Sequence, residues 1–345
     1  MAGQVTLSDV AREAGVSLAT ASRALNGSAN RTVGEHLRKR VEAAAARLRY
    51  SPDGIAQAMA RGRTNALGLV VHDIADPYFS AIAAGVAAAA DEAGLTVTLA
   101  STARRPEREV EIVGLMQRQR ARAVVLAGGR PGEPAADDAL RAAVESFREA
   151  GGAVSVVGQD GLGVSSVVLA NRAGAADLAR ALHGRGYRRF AVLGGPAAHP
   201  AAADRREGFV EALTALGCPV PEDRVLDSAL TRDGGHEAMA RLLAGTGAGD
   251  VDAVFAVTDL MAVGALTAAR EAGVRVPVDV ALAGFDDIEG LRDVVPALTT
   301  VRLPLQRIGA EATRLALRPA GSEPVLVPVA GEVVLRDSTP GVPGR

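Results

Sequence analysis

Two hydrophobic rhythms divide the chain. Across residues 6–48 the apolar positions recur at helical spacing, and from Ala66 onward short unbroken apolar runs alternate with helical stretches. In the first part Leu7, Val10, Ala11 and Ala14 share one helical face, and Leu18, Ala21, Ala24 and Leu25 share another. Thr6 with Asp9 three residues on is a variant of the capping box that satisfies orphan amides of a first turn. Gly15 can take the left-handed conformation that ends a helix, with apolar Val16 beneath the turn, and Ser17 is placed to cap the second helix. Asn26-Gly27 closes that helix with turn chemistry. Two small helices joined by a short turn holding a glycine have the outline of a helix-turn-helix, although a plain helical hairpin serving as core has the same rhythm. After a loop over 27–31, Thr32-Val33-Gly34-Glu35 predicts a capping box opening a third helix to about Leu48, with Leu37, Val41, Ala44, Ala45 and Leu48 inward. Tyr50-Ser51-Pro52 ends it; Pro52 suits the first turn of a short helix over 53–60, and Arg61-Gly62-Arg63-Thr64-Asn65 reads as a linker.

The remainder reads as repeated strand–helix units. ALGLVV (66–71), LTVTLA (95–100), AVVLAG (123–128) and AVSVVG (153–158) fit buried parallel strands, separated by helical patterns near 78–93, 106–119 and 134–149. A second series holds VVLA (167–170), FAVLGG (190–195), DAVFAV (252–257) and VALAGF (280–285), with helices near 171–185, 204–217, 233–244 and 259–272. The fold class is therefore α/β, with doubly wound parallel sheets in two lobes and a cleft between them. TTVRLP (299–304), a helix near 305–317 and strands around 325–335 come last, and are expected to return to the first lobe. The expected organisation is a head over 1–50, a helix and linker over 51–65, and a body over 66–345, whose first lobe takes about 66–170 and 301–335 and whose second takes about 171–300.

Charge alters the picture of the head. Residues 1–63 hold ten basic and five acidic side chains, which leaves 28 of the 38 basic and 35 of the 40 acidic residues for the rest. A basic head on an acidic body is what a DNA-binding module produces, because neutralised phosphates supply the sequence-independent part of affinity. Cys218 is the one cysteine, so no intrachain disulfide forms and a reducing compartment is expected. The start, MAGQVTLSDV, has no basic segment followed by an apolar run, and no stretch reaches membrane-spanning length. A cytoplasmic protein with no membrane segment is the expectation.

In open α/β sheets ligands bind beyond the carboxyl ends of the strands. That rule picks Asp73, Asp76, Tyr78 and Phe79 after the first strand, Gly128 and Gly129 after the third, and Asp160 after the fourth. In the second lobe it picks His199 and Arg205, Thr258 and Asp259, and Asp286 and Asp287. Carboxylates, an arginine and an aromatic pair suit a polyhydroxylated ligand, although loop aspartates at such places also serve as helix caps. No phosphate-binding loop, dinucleotide fingerprint or nucleophile elbow is present, and His36, His72, His183, His199 and His236 lack metal-ligand spacing. Neither an enzyme nor a cofactor is expected.

These residues resemble the lactose/galactose repressor family of bacterial transcription regulators. VTLSDVAREAGVSLATASRALNG is similar to the family's helix-turn-helix and SPDGIAQAMARGRT to its hinge helix. DPYFSAI, Arg205-Arg206-Glu207-Gly208-Phe209, TDLMAVGAL, VPVDVALAGFDD and PALTTVRLP resemble its effector-domain landmarks, in order. The resemblance implies an all-α head plus hinge helix followed by a two-lobed, periplasmic-binding-protein-like domain, acting as a homodimer on double-stranded, pseudo-palindromic operator DNA. It places Ser17, Leu18, Ala19, Thr20, Ser22, Arg23 and Asn26 on the recognition helix, with Thr6 and Tyr50 in the same DNA-contacting set. Short polar side chains there suit phosphates, and Arg23 can make a bidentate contact to guanine. Met59 stands where the family wedges a leucine into the minor groove. For a small-molecule effector (a sugar, sugar phosphate or nucleoside-like metabolite) it implies Asp76, Tyr78, Phe79, Asp160, Arg205, Asp259 and Asp286. The runner-up is a solute-binding protein of the same two-lobed architecture, for which the head has no role.

Overall fold

The computed structural model describes residues 5–26, 33–50, 62–130, 134–158, 160–245 and 250–342, the side chain of Asn26 excepted. The chain divides into two units, Met1–Asn65 and Ala66–Arg345. The expected helix over 53–60, with Met59 in it, and the loop over 27–31 lie outside the described residues.

In the head, α1 (Leu7–Glu13) carries the capping box: the Asp9 amide donates to Thr6 Oγ1 at 3.4 Å and the Thr6 amide donates to Asp9 Oδ2 at 3.0 Å. Gly15 sits at φ +62°, and the Val16 amide reaches back to the Ala11 carbonyl at 3.0 Å. The chain thus turns into α2 (Leu18–Asn26), where the Thr20 amide donates to Ser17 Oγ at 3.1 Å. One expectation changes at α3 (Glu35–Arg47). Its N-cap is Gly34 without any side-chain cap bond, so the proposed box from Thr32 does not open this helix; Thr32 itself lies outside the described residues. Val10, Ala11, Ala14, Ala21, Val41, Ala44 and Ala45 form the core, small side chains throughout. Polar ties supplement so thin a core. Arg40 donates to the Ala14 carbonyl at 2.7 Å, at the negative end of α1, and Arg47 pairs with Glu13 at 3.1 Å.

The body opens with β1 (Ala66–Val71), α4 (Pro77–Glu92), β2 (Thr96–Ser101), α5 (Pro106–Arg118), β3 (Ala123–Ala127), α6 (Pro134–Glu149), β4 (Ala153–Gly158) and β5 (Ser165–Leu169). It continues with α7 (Asn171–Gly184), β6 (Phe190–Gly194), α8 (Pro200–Ala215), β7 (Val225–Asp227), α9 (Arg232–Gly245), β8 (Ala253–Ala256), α10 (Asp259–Glu271) and β9 (Ala281–Ala283). Last come β10 (Thr300–Arg302), α11 (Leu305–Ala316), β11 (Leu326–Val329) and β12 (Glu332–Val334). A six-stranded sheet runs β11-β5-β4-β3-β1-β2 and a four-stranded sheet β7-β6-β8-β9, all parallel. Apolar runs with both faces covered by helices are why β1, β3, β6 and β8 are buried almost throughout.

β5, named in sequence at the head of the second series but inside the first lobe's expected 66–170, pairs with β4 in the first sheet, with Leu162 and Val164 buried on the way to it. One placement differs from the sequence reading. β12, expected with the first lobe, pairs antiparallel with β10 instead. Beyond it the chain lies along the second sheet, where Ser338 Oγ donates to the Leu282 carbonyl at 2.6 Å. The segment is short, and partner choice between sheets leaves no mark in a local pattern. α11 returns to the first lobe against α4, so closely that a Cβ at Gly85 would overlap the Gln306 carbonyl and one at Gly309 that of Ile82.

In both sheets the strand order reverses beside the first strand of the lobe: between β1 and β3 in one, between β6 and β8 in the other. Such switch points open a crevice at the carboxyl ends of the strands. The residues leaving β1, β3, β6 and β8 therefore converge on one cleft.

Candidate effector cleft and DNA-reading helix

The cleft encloses about 640 Å³ of non-atom space, solvent at its mouth included. From the first lobe it receives His72, Asp76, Tyr78 and Phe79 after β1, Arg104 after β2, Gly128 and Gly129 after β3, and Gly158 at the end of β4. From the second come His199, Arg205, Leu230, Thr258, Leu260 and Asp286.

Arg205 and Asp286 are its polar centre. Arg205 reaches from α8 with only 4% of its surface exposed; Nε donates to Asn171 Oδ1 at 2.8 Å and Nη1 to the Val257 carbonyl at 2.9 Å. Nη2 lies 2.9 Å from Asp286 Oδ1, and the guanidinium sits over the Phe285 ring, 4.0 Å from its centroid. The site is thereby prepositioned. Burial pushes the Asp286 carboxyl up to about 8, opposed by the Arg205 charge beside it. Asp286 and Asp287 both hold positive φ, +125° and +56°, a strained conformation for residues with a Cβ. The strain is pinned from several sides. The Asp286 amide donates to the Val301 carbonyl at 2.9 Å, and Asp287 binds Arg302 at 2.7 Å and Arg336 at 2.6 Å.

Asp76 shows that capping and facing the cleft are compatible. Its Oδ1 accepts from the Tyr78 amide at 3.0 Å as N-cap of α4, while Oδ2 lies 3.7 Å from Arg104 Nη2. Burial raises its pKa. Tyr78 and Phe79 meet edge to face, 5.0 Å between centroids, and burial raises the Tyr78 phenol, keeping it a neutral donor. His199 caps α8 through Nδ1, which accepts from the Ala202 amide at 3.4 Å. Burial, with help from nearby His72 and Arg205, pushes its pKa down to about 4, so the ring is neutral and its Nε2 carries the proton.

Two residues expected in the site are not in its wall. Asp160 is exposed and accepts from the Gly161 amide at 2.7 Å, an ordinary turn contact. Asp259 is wholly buried behind the cleft, because Thr258 takes the N-cap of α10 and turns its neighbour inward. There Asp259 accepts from Thr300 Oγ1 at 2.6 Å and from the Ile288 amide at 3.0 Å, holding the loop that presents Asp286. Burial pushes its carboxyl up to about 7. Asp73 caps the Ala75 amide and Asp287 faces its arginines. His72 and Arg104 line the cleft without having been singled out from sequence, although each stands just past a strand end and the same rule covers them.

In the head, Ser17, Leu18 and Ala19 are exposed at the start of α2, Leu18 by 51%. Thr20, Ser22 and Arg23 are half-buried, and Arg23 Nε folds back onto the Ala19 carbonyl at 2.9 Å. Ser17 and Thr20 hydroxyls bond each other at 2.8 Å. Thr6 is exposed at the cap of α1 and Tyr50 is half-buried against the head core.

A helix-turn-helix head joined to a body of two parallel α/β lobes with a cleft at their switch points defines a ligand-responsive DNA-binding protein. Comparison with known proteins agrees. Residues 6–53 match the model for bacterial regulatory proteins of the lacI family, and residues 179–339 match that for a periplasmic binding protein-like domain. The chain is 34% identical over 346 residues to the transcriptional regulator CelR of Thermobifida fusca, covering 96% of this chain and 98% of that protein. It is 33% identical over 318 residues to the regulator GalS of Salmonella typhimurium, covering 92% and 90%. Among solved structures, a Lac repressor dimer bound to operator and the anti-inducer ONPF aligns with TM-score 0.82 at 26% identity, covering 98% of this chain and 99% of that one. A CelR–cellobiose complex aligns with TM-score 0.70 at 33% identity, covering 97% and 99%. The chain belongs to the lacI family of DNA-binding transcriptional regulators. Among the described residues no helix is long and apolar enough to cross a membrane.

Proposed function

We propose that the protein is a repressor that binds a pseudo-palindromic operator as a homodimer and is controlled by a sugar or sugar derivative in the cleft, with no catalytic role. The observation that carries the effector reading is the Arg205–Asp286 pair, 2.9 Å apart and 5% exposed on each side, set beside Asp76, Tyr78 and Phe79. Buried carboxylate and guanidinium groups hydrogen-bond hydroxyls in both directions, and aromatic edges cover a ring face. The operator-bound dimer and the cellobiose complex among its structural neighbours support the same partners for this chain.

The DNA-reading role falls to the exposed start of α2 with Arg23, which must leave the Ala19 carbonyl to reach a guanine. Met59 is assigned to the minor groove by resemblance alone. Effector binding shifts an equilibrium between DNA-competent and incompetent states, with a coupling of about 1–3 kcal/mol, or 5–150-fold in operator affinity. The test pairs two variants. Asp286→Ala abolishes the response to effector while operator binding persists; an unchanged response removes Asp286 from the site. Arg23→Ala costs about 1–3 kcal/mol of discrimination between operator and mutated operator, and an equal loss on random duplex would reduce Arg23 to a phosphate contact.

A further inference from the structure

Three passages of chain join the two lobes of the body, at 169–171, 299–305 and 330–336. The second and third pair with each other. β10 and β12 run antiparallel, Arg302 opposite Glu332, as a two-stranded sheet apart from the sheets of the lobes. One carboxylate of the second lobe holds both. Asp287 Oδ2 accepts from Arg302 Nε of β10 at 2.7 Å, and Oδ1 accepts from Arg336 Nη2, two residues past β12, at 2.6 Å. Arg302 in turn has Nη1 4.0 Å from Glu332 Oε2. Arg336 also donates to the Leu298 carbonyl at 2.8 Å, and its amide donates to Thr299 Oγ1 at 2.8 Å, where the second passage begins. The Asp287 and Arg336 side chains are only 12% and 10% exposed, so these charge-assisted bonds are sheltered from water.

The residue before this clamp stands in the cleft. Asp286 meets Arg205 with its side chain while its backbone is stitched to β10: its amide donates to the Val301 carbonyl at 2.9 Å, and its carbonyl accepts from the Leu303 amide at 3.2 Å. Asp286 and Asp287 both hold positive φ, so the peptide between them has little room to turn without shifting one carboxylate or the other. Asp287 itself takes no part in the cleft wall. A contact that moves Asp286 therefore pulls on the neighbour that pins β10 to β12, and these passages are where a change in the angle between the lobes must bend. An ion pair serving stability alone has no need to stand next to the ligand-facing carboxylate. Coupling between sites needs such a physical connection to an element with two arrangements.

We infer that Asp287 is a positioning residue for the effector response: through Arg302 and Arg336 it makes the paired passages between the lobes follow the position of Asp286. The inference rests on the effector-controlled reading above and deepens it. The experiment measures the coupling ratio, the factor by which a sugar changes operator affinity, by fluorescence anisotropy on the full chain. Cellobiose, lactose, glucose, galactose and glucose 6-phosphate are each used as probe on the wild type. The probe with the largest ratio is then titrated calorimetrically with and without operator duplex, since linkage requires the same ratio in both directions. In Asp287→Asn, and in Arg302→Gln at the half-exposed end of the clamp, operator and sugar both still bind and the ratio falls at least threefold. Asp287→Glu, which returns a carboxylate to the two arginines, recovers part of that loss. A purely structural role lowers thermal stability and leaves the ratio of the folded chain as it was. A smaller fall in either variant that circular dichroism shows to be folded, or no gain of Asp287→Glu over Asp287→Asn, overturns the inference while leaving a sugar-controlled regulator standing. A wild-type chain whose operator binding no probe moves overturns the effector reading and the inference with it.

Discussion

Replacing Arg205 with alanine strips a buried carboxylate of the guanidinium beside it and exposes how the pair is held together. Asp286 is 5% exposed on its side chain and receives the Arg205 guanidinium at 2.9 Å. Its folded pKa, pushed up to about 8 by burial against 3.8 for the free side chain, means that the folded state binds more protons than the unfolded one across that window. Stability from this group is accordingly full below about pH 3.8 and lost as pH rises through the folded value. Without Arg205 the opposing charge is gone and the window extends upward. At pH 6 the Asp286 carboxyl holds its proton with or without Arg205, and the loss is confined to hydrogen bonds such as that to the Val257 carbonyl, about 1–3 kcal/mol. At pH 9 the charge competes with burial and the loss grows toward the roughly 3–5 kcal/mol typical of a broken buried pair. Urea denaturation followed by circular dichroism at the two pH values, on wild type, Arg205→Ala, Asp286→Asn and the double variant, reads the difference. The double variant should recover most of the pH 9 penalty. Equal destabilisation at both pH values, or a double variant no better than Arg205→Ala, would refute the reasoning.

Other contacts carry further expected outcomes. Asp259→Ala frees the Ile288 amide and the Thr300 hydroxyl, so the loop presenting Asp286 loosens; effector affinity falls about tenfold or more, while an unaltered titration would show that the loop needs no such anchor. Thr6→Ala removes the capping box of α1 and lowers head stability by about 0.5–2 kcal/mol, visible as earlier loss of helical signal on heating. His199, with its folded pKa near 4 against 6.5 when free, contributes stability that is present above pH 6.5 and lost as pH falls through 4, about 3 kcal/mol in all. His199→Asn keeps a capping side chain but removes that acid limb from the stability profile; an unchanged limb would assign it elsewhere.

What the sequence made legible was whatever a local pattern enforces. The Thr6–Asp9 box, the left-handed Gly15 and the Ser17 cap arise from side chains three to five residues apart, and they sit where the spacing put them. The cleft was visible because polar residues come directly after apolar runs at strand ends, which singled out Arg205 and Asp286 although they are far apart in the chain. The misplacements share a cause: they depend on partners the local sequence does not name. Asp160 and Asp76 look alike as strand-end aspartates, yet one accepts from the Gly161 amide at the surface and the other lines the cleft beside Arg104. Asp259 differs from a ligand-facing aspartate by one step of helix rotation, fixed by Thr258 taking the cap. The pairing of β12 with β10 is a choice between sheets, made by packing.

The most direct measurement of the central claim is a fluorescence-anisotropy titration of a labelled palindromic promoter fragment with the full chain, at physiological salt, with and without saturating sugar. The account predicts preference for that fragment over scrambled duplex and a saturable shift of about 5–150-fold on adding the effector, absent in Asp286→Ala. Equal affinity for both duplexes, unmoved by any sugar, would contradict it.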